Sequence, residues 1–218
     1  MEKAVVSLSG GIDSSTLLHW AMRRYNVVAL TFDYGSKHAE REQAAAKEIA
    51  ALAGAEHILT RLPFVNELFK SDLLQSGGEI PEGHYENSSM KSTVVPFRNG
   101  IMLSIAAGFA ESVGAATVLY AAHAGDHAIY PDCRPEFLKA MSEAARAGTY
   151  MNVKIEDPFV DLHKKDIVLL GHELRVPFEI TYSCYKGGSL HCGRCGTCVE
   201  RREAFRLAGV HDPTKYAG

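Results

Sequence analysis

The sequence predicts an α/β protein with a doubly wound parallel sheet, followed by a cysteine-rich C-terminal appendage. Three observations support this prediction: short apolar runs alternate with helical patterns, glycines end several of these segments, and four cysteines cluster near the C-terminus. Alternating strands and helices favour parallel pairing, because each helix carries the chain back across the sheet in a right-handed crossover.

The N-terminal part of the chain shows the clearest alternation. An apolar run at residues 4–8 is predicted to be a buried strand, and a Ser-Gly-Gly turn leads from it into a helix over residues 13–24. The next predicted elements are a strand at residues 27–32, a helix over residues 37–53 that Gly54 ends, and a strand at residues 56–59.

The rest of the chain is predicted to add further strand–helix pairs after an insertion. Residues 63–91 are polar with a short helical piece at residues 66–73, and we expect them to form an insertion or a mobile lid. The other predicted elements are helices at residues 98–113, 135–147, 162–173 and 199–207, and strands at residues 117–121 and 153–155. The predicted division is an α/β domain over residues 1–175 and an appendage over residues 176–218.

Composition and charge are those of a soluble globular protein, with 46% hydrophobic residues, 22% charged residues and a net charge of −3. A basic surface, which a nucleic-acid partner would require, is not indicated. No apolar run reaches the roughly 18 residues of a membrane span, and the N-terminus lacks the pattern of a signal peptide. An odd number of cysteines argues against a disulfide framework. We therefore expect a cytoplasmic protein that binds neither nucleic acid nor membrane.

The turn after the first predicted strand has the composition of an anion-binding loop. Gly10 and Gly11 allow the backbone to turn tightly, and the helix that follows contributes unpaired N–H groups and the positive end of its dipole. The hydroxyls of Ser9 and Ser14 can donate hydrogen bonds to phosphate oxygens. Asp13 either helps to hold Mg²⁺ or simply caps the helix. The residues alone leave an ordinary strand-to-helix turn as the alternative.

The four clustered cysteines are spaced as metal ligands: Cys184, Cys192, Cys195 and Cys198. Glycines between the last three free the backbone for the turns that would point the sulfurs inward. Four thiolates with no open position favour a structural tetrahedral zinc site. An iron–sulfur cluster is the main alternative, because four cysteines can also hold one.

Two further polar stretches supply candidate substrate contacts. Arg98 can clamp a phosphate or a carboxylate with two parallel hydrogen bonds, or it can face solvent at the start of a helix. Asp126, Tyr130, Asp132 and Arg134 follow a predicted strand, where open α/β sheets bind ligands. Tyr130 can stack on a planar heterocycle, and Asp132 can accept hydrogen bonds from a guanine-like edge. An ordinary polar loop is the alternative.

The motif Ser-Gly-Gly-x-Asp-Ser-Ser at residues 9–15 resembles the loop of the ATP pyrophosphatase superfamily, whose members split ATP between its α- and β-phosphates. Val-Pro-Phe-Arg-Asn at residues 95–99, Tyr-Pro-Asp-Cys-Arg at residues 130–134 and Cys-Gly-Arg-Cys-Gly-Thr-Cys at residues 192–198 make the resemblance more specific. With them, nearly the whole chain resembles the 7-cyano-7-deazaguanine synthases of the queuosine and archaeosine precursor pathway.

The resemblance implies an adenine nucleotide alpha hydrolase-like, Rossmann-like fold in which residues 1–175 bind ATP and residues 176–218 bind zinc. It also implies the conversion of 7-carboxy-7-deazaguanine and ammonia, through an activated carboxylate and an amide, to 7-cyano-7-deazaguanine. The implied cofactors are ATP, Mg²⁺ and Zn²⁺, and the implied assembly is a homodimer.

Specific roles follow from the same resemblance. The catalytic residues would be Asp13, Arg98 and Asp126, and the substrate would contact Arg98, Tyr130, Asp132 and Arg134. ATP would contact Leu8, Ser9, Gly10, Gly11, Ile12, Asp13, Ser14, Ser15, Thr16, Leu17, Leu18 and Lys164. Two other functions stay open from the residues: a tRNA sulfurtransferase of the same superfamily, with Cys133 as the sulfur carrier, or a nucleotide-binding module without turnover.

Overall fold

The computed structural model describes residues 1–217. Five short strands among them form one parallel sheet. The strands are β1 (Lys3–Ser7), β2 (Asn26–Asp33), β3 (Glu56–Arg61), β4 (Thr117–Leu119) and β5 (Lys154–Glu156). Their order in the sheet is β3-β2-β1-β4-β5, with every pair parallel. In the centre of the sheet, Val5 pairs with Val28 on one side and Val118 on the other.

Helices cover both faces of this sheet, as a parallel sheet requires. The helices are α1 (Ile12–Met22), α2 (Ala39–Ala53), α3 (Pro63–Leu68), α4 (Arg98–Ser112), α5 (Pro135–Gly148), α6 (Lys164–Glu173) and α7 (Gly196–Ala208). Helix α1 packs against α2 and α6, whereas α4 packs against α5. Because β1 lies between these two groups, its residues Ala4, Val5 and Val6 are fully buried. The predicted doubly wound fold is confirmed.

The strand order reverses between β1 and β4, and this reversal positions the site. The chain leaves β1 towards one side of the sheet and leaves β4 towards the other, so the loops after the two strands diverge. A crevice opens between such loops at the carboxyl ends of the strands.

Several predicted boundaries differ from the structure for local reasons. The short helix predicted at residues 66–73 lies instead at Pro63–Leu68, because Pro63 fits the first position of a helix. The last helix begins at Gly196 rather than at residue 199, so the cysteine turn runs directly into it. The strand predicted at residues 117–121 ends at Leu119, where its pairing with Glu156 of β5 also ends. The other boundaries agree within about two residues.

The insertion packs onto the domain at its base and closes over the crevice further on. Leu73 and Leu74 are fully buried in the main core. The Lys37 ammonium donates hydrogen bonds to the carbonyls of Leu74 and Gly77 and so anchors the insertion. A 3₁₀ helix, Ser88–Thr93, follows and places buried side chains against the region after β4.

The C-terminal residues share one apolar core with the sheet. Cys184, Cys195, Cys198 and Phe205 belong to the same cluster of buried residues as the strands. The division into residues 1–175 and 176–218 stays a prediction. Among residues 1–217, none of the helices combines the length and the apolar character that crossing a bilayer would need.

Candidate functional site

The main cavity lies at the carboxyl ends of β1, β2 and β4, where the strand order reverses. Its walls come from the loop after β1, the end of β2, the start of α4, the segment after β4 and the segment before the cysteines. One side is lined by the serines, glycine and backbone of the phosphate-type loop, and the other side by aromatic side chains. The cavity therefore joins a polar compartment to an aromatic one.

The polar compartment is built on the turn between β1 and α1. Gly10 has φ +83°, and a Cβ atom there would lie 2.7 Å from backbone atoms of α2, so only glycine fits. The hydroxyls of Ser9 and Ser14 lie 3.0 Å apart, and the Ser9 amide donates to the Ser14 hydroxyl. This turn therefore holds hydroxyls and backbone N–H groups together at the N-terminus of α1, as an anion site needs.

The predicted ATP contacts divide into two groups. The residues that line the cavity are Leu8, Ser9, Gly11, Ile12, Asp13, Ser14 and Lys164. Gly10, Ser15, Thr16, Leu17 and Leu18 are not among the lining residues, and Leu17 and Leu18 are fully buried in the core. A role for these five residues in contact with ATP stays a prediction.

A charged cluster closes the end of the polar compartment. The Lys164 ammonium lies 2.9 Å from Asp13 Oδ2, 3.0 Å from Glu200 Oε2 and 3.3 Å from His123 Nε2. Burial raises the pKa of the Asp13 carboxyl, but Lys164 and His123 outweigh it and hold the pKa below its usual value. Burial lowers the pKa of Lys164, but Asp13 and Glu200 raise it by more. The pKa therefore lies above its usual value, and the ammonium keeps its proton.

Asp13 keeps one oxygen available for a cation. Its Oδ2 pairs with Lys164, whereas Oδ1 is shielded from solvent and has no hydrogen-bond partner among residues 1–217. A buried carboxylate oxygen without a partner is costly. A hard divalent cation, which takes oxygen ligands from carboxylates and phosphates, would satisfy it. The residues present therefore fit a Mg²⁺ bound together with a polyphosphate.

The aromatic compartment surrounds the guanidinium of Arg98. Arg98 Nη1 donates to the Tyr34 hydroxyl at 3.1 Å, and the guanidinium carbon lies 5.4 Å from the centre of the Tyr34 ring. Tyr120, Tyr130 and Tyr185 also line this part of the cavity. A fixed positive charge among aromatic faces suits a planar ligand that carries a carboxylate.

The other predicted substrate residues mostly contact the protein itself. Asp132 accepts a hydrogen bond at 2.9 Å from the Asn99 amide at the start of α4, and the Arg134 Nε donates to the His127 carbonyl at 3.0 Å. Neither Asp132 nor Arg134 is among the residues that line the cavity. Their role as substrate contacts stays a prediction, and their observed contacts hold the first turn of α4 and the 3₁₀ turns after β4.

The insertion covers the aromatic compartment through Tyr85. The Tyr85 hydroxyl donates to Asp126 Oδ1 at 2.8 Å, and its ring centre lies 5.9 Å from that of Tyr130. Asp126, a predicted catalytic residue, also accepts from the His123 amide at 3.1 Å. Glu82 holds the insertion from outside, within 3.3 Å of Arg194. The insertion thus forms a lid in contact with both the cavity and the cysteine turn.

The four predicted metal ligands lie together. Their ligand atoms all lie within 4.8 Å of one another, and the Cys192–Cys198 and Cys195–Cys184 sulfur pairs are 3.9 and 4.0 Å apart. A tetrahedral site with metal–sulfur bonds of about 2.3 Å would place its sulfurs about 3.8 Å apart. The cluster is therefore able to hold a single metal ion. His191 lies outside this group of four, and its Nε2 accepts a hydrogen bond from the Ser183 amide at 3.0 Å.

The structure adds cavity residues that the sequence did not identify. The main additions are Tyr34, Tyr85, Tyr120, Tyr185 and Glu42 at the cavity wall and His123 and Glu200 in the charged cluster. Tyr34 and Tyr120 stand directly after β2 and β4, a position that could have marked them. Nothing in the local sequence around Glu200 indicates its partner.

Cys133, the sulfur carrier of the sulfurtransferase alternative, is a poor nucleophile in this setting. Its thiol lies in the wall of the aromatic compartment, 3.2 Å from Asn99 Nδ2. Burial raises the pKa of the Cys133 thiol well above its ordinary value, and Asp126 raises it further. Because the thiolate is the reactive form, no observation at this residue favours sulfur transfer.

The fold and the site together define a doubly wound α/β protein with a cavity at the reversal of strand order and a cysteine cluster able to hold a metal. The model of a family described as "Queuosine biosynthesis protein QueC" matches residues 3–209. The chain belongs to this family.

Named relatives agree with this membership. The chain is 54% identical over 215 residues to a 7-cyano-7-deazaguanine synthase from Porphyromonas gingivalis, covering 99% of this chain and 97% of the relative. It is 51% identical over 217 residues to another from Desulfotalea psychrophila, covering 99% of each chain. An NMN synthetase structure from Francisella tularensis shares the fold at a TM-score of 0.50 and 17% identity, covering 96% of this chain and 78% of that one.

Proposed function

We propose that this protein is an ATP-dependent ligase that converts 7-carboxy-7-deazaguanine and ammonia to 7-cyano-7-deazaguanine. The observation that carries the proposal is one cavity that joins the phosphate-type loop to an aromatic compartment around Arg98. The names of the relatives at 54% and 51% identity support the same substrate. Such a cavity can hold a nucleotide and a planar acid side by side, with the acid oxygen directed at the phosphates.

The proposed chemistry uses the cavity twice. A carboxylate oxygen of the acid attacks the α-phosphate of ATP, so that pyrophosphate leaves and an acyl adenylate forms. Ammonia then attacks the acyl carbon, a proton is lost, and AMP departs to leave the amide. The amide oxygen attacks a second ATP in the same way, and loss of AMP and two protons forms the nitrile. Both activations are needed because an unmodified carboxylate or amide oxygen is a poor leaving group.

The residues of the chain have separate roles in this scheme. The loop of Ser9, Gly11 and Ser14 would hold the phosphates through N–H and hydroxyl groups, and Lys164 would supply positive charge. Arg98 would fix the acid carboxylate, and Tyr130 would pack on the heterocycle. Mg²⁺, with Asp13 as its protein ligand, would neutralise phosphate charge when bound. Asp126 would hold the lid closed over the reacting groups through Tyr85.

We propose Zn²⁺ for the cysteine cluster. The sulfur separations suit a single tetrahedral ion, whereas the core of a multi-iron cluster would hold the thiolates further apart. When bound, zinc would stabilise the segment before α7, which is rich in loops. We also propose a cytoplasmic location, because reducing conditions keep the four clustered thiols free to bind a metal.

We propose a homodimer as the assembly in solution. Phe97 is 58% exposed beside the Phe137 ring, an apolar surface that a partner subunit would cover. Light scattering on the zinc-loaded protein tests this, and a monomer mass at micromolar concentration would contradict it.

The experiment that tests the function is a mass-spectrometric assay with the deazaguanine acid, ATP, Mg²⁺ and ammonium. Nitrile product with AMP and pyrophosphate is expected, and ADP with phosphate would contradict the adenylation step. Failure to form nitrile under these conditions would overturn the proposal. Asp13→Ala should abolish turnover in protein that still folds, because Oδ1 serves the cation, and loss of the Oδ2–Lys164 pair should lower the unfolding midpoint only in part. If activity survives, Asp13 serves only to pair with Lys164, since the N-cap of α1 is Gly11 and receives no side-chain hydrogen bond.

A further inference from the structure

Glu200 is a carboxylate of the cysteine-bearing appendage that reaches into the phosphate compartment. It lies on α7, the helix that begins next to Cys195, and only 13% of its side chain is exposed. Its Oε2 lies 3.0 Å from the Lys164 ammonium and its Oε1 lies 3.5 Å from His123 Nε2. Both partners stand beside Asp13, so the carboxylate takes part in the charged cluster rather than in the surface of α7.

The position of the Lys164 ammonium depends on its charged neighbours, because the side chain is flexible and its charge is compact. It stands at the first residue of α6, and its four-carbon stem allows the ammonium many positions. Asp13 alone would draw the ammonium towards the phosphate loop, where it would compete with a cation for the carboxylate. Glu200 Oε2, at 3.0 Å, is a second carboxylate partner that competes with Asp13 for the ammonium. His123, at 3.3 Å, completes the enclosure.

We propose that Glu200 is a positioning residue that holds the Lys164 ammonium where it contacts the phosphates of ATP. The helix that carries a metal-ligating cysteine thereby sets the geometry of the phosphate compartment. The inference rests on the proposed function, in which Lys164 binds ATP. A positioning role for Glu200 differs from that of a purely stabilising ion pair in one respect. Loss of Glu200 should change the nucleotide affinity of protein that is folded and loaded with metal.

The test compares Glu200→Gln with the wild type at equal, measured zinc content. The glutamine has the same size but no charge, so Lys164 loses one of its two carboxylate partners. We expect the Kd for ATP, measured by calorimetry, and the KM for ATP to rise by about 10- to 100-fold, because an ammonium held by Asp13 alone loses a charge-assisted contact to the phosphates, and such a loss has an effect of about this size. Glu200→Asp keeps the charge on a shorter stem and should recover part of the affinity. Glu173→Gln, an exposed carboxylate at the end of α6, is the matched control and should change neither constant.

A double-mutant cycle with Lys164→Met separates the possible outcomes. If Lys164→Met weakens ATP binding and Glu200→Gln adds nothing in that background, Glu200 acts through Lys164. If Glu200→Gln lowers only the unfolding midpoint, or if the two effects on ATP affinity add, the positioning role is wrong while the proposed function stands. If Lys164→Met leaves ATP affinity unchanged while nitrile still forms, the premise about Lys164 fails and the inference fails with it. Should Glu200→Gln not fold, the same cycle is run with Glu200→Asp.

Discussion

Gly10 offers the sharpest test of how the phosphate loop is built. Its φ of +83° favours glycine, and a Cβ atom there would lie 2.7 Å from both Ala46 N and Glu42 O. These two atoms belong to the backbone of α2, so no side-chain rotation can relieve the overlap. Ordinary Cβ contacts begin at 3.4 Å, so in Gly10→Ala the loop and α2 must move apart by roughly 0.7 Å.

Two contributions set the expected size of the effect. An alanine held in the left-handed region costs about 1–2 kcal/mol, and the overlap with α2 costs about 1–3 kcal/mol more. Gly54 provides the control for the first contribution, because it has φ +73° at the end of α2 and nothing lies within 4 Å of its would-be Cβ. Gly54→Ala should therefore lose only the conformational part, about 1–2 kcal/mol.

The assay has two readouts on the same metal-loaded protein. Urea unfolding gives the free energy of unfolding, and calorimetry gives the Kd for ATP. Gly10→Ala should lose more stability than Gly54→Ala and should weaken ATP binding by about 10-fold or more, since the moved loop carries the phosphate donors. Equal stability losses in the two variants, with unchanged ATP affinity in both, would refute the argument that this turn grips the triphosphate.

Three further predictions concern the metal site and two buried charges. Cys195→Ser should reduce the metal content measured by mass spectrometry and lower the unfolding midpoint; full metal content would contradict the ligand assignment. Burial raises the pKa of Asp157 to about 7, so the native state binds its proton more tightly than the unfolded chain and stability should fall as pH rises from about 4 to 7, by at most on the order of 4 kcal/mol. Asp157→Asn should gain stability relative to the wild type between pH 5 and 8 in urea unfolding, and a constant difference would disprove this. Arg201→Met should cost about 3–5 kcal/mol in the same measurement, because Arg201 is fully buried 3.2 Å from Asp212, and a loss below about 1 kcal/mol would contradict it.

The strand–helix alternation, the phosphate loop and the cysteine cluster could be predicted from the sequence because each is local. The apolar run of β1, the glycine turn and helix α1 follow one another within the first 22 residues of the chain. The four cysteines likewise need only short glycine turns to bring their sulfurs within 4.8 Å. Local backbone geometry decides such features, so neighbours in sequence are sufficient to indicate them.

The partners of the charged groups could not be predicted in this way. The charge of Lys37 suits a phosphate, but the fold places its ammonium against carbonyls of the insertion. Asp132 suited a guanine-like edge by chemistry, but it accepts the Asn99 amide because the turn after β4 packs against the start of α4. A side chain's chemistry indicates which groups it can bind, whereas the packing of distant elements decides which of them it meets.

The sequence by itself therefore determined the class of fold, the anion-binding turn and the ligands of a metal, all of which depend on residues close together in the chain. Only the tertiary structure decided that Lys164 meets Asp13 across 151 positions, and that Glu200 reaches the same ammonium from the cysteine-bearing helix. The reason is the reversal of strand order between β1 and β4, which brings the ends of remote segments to one crevice.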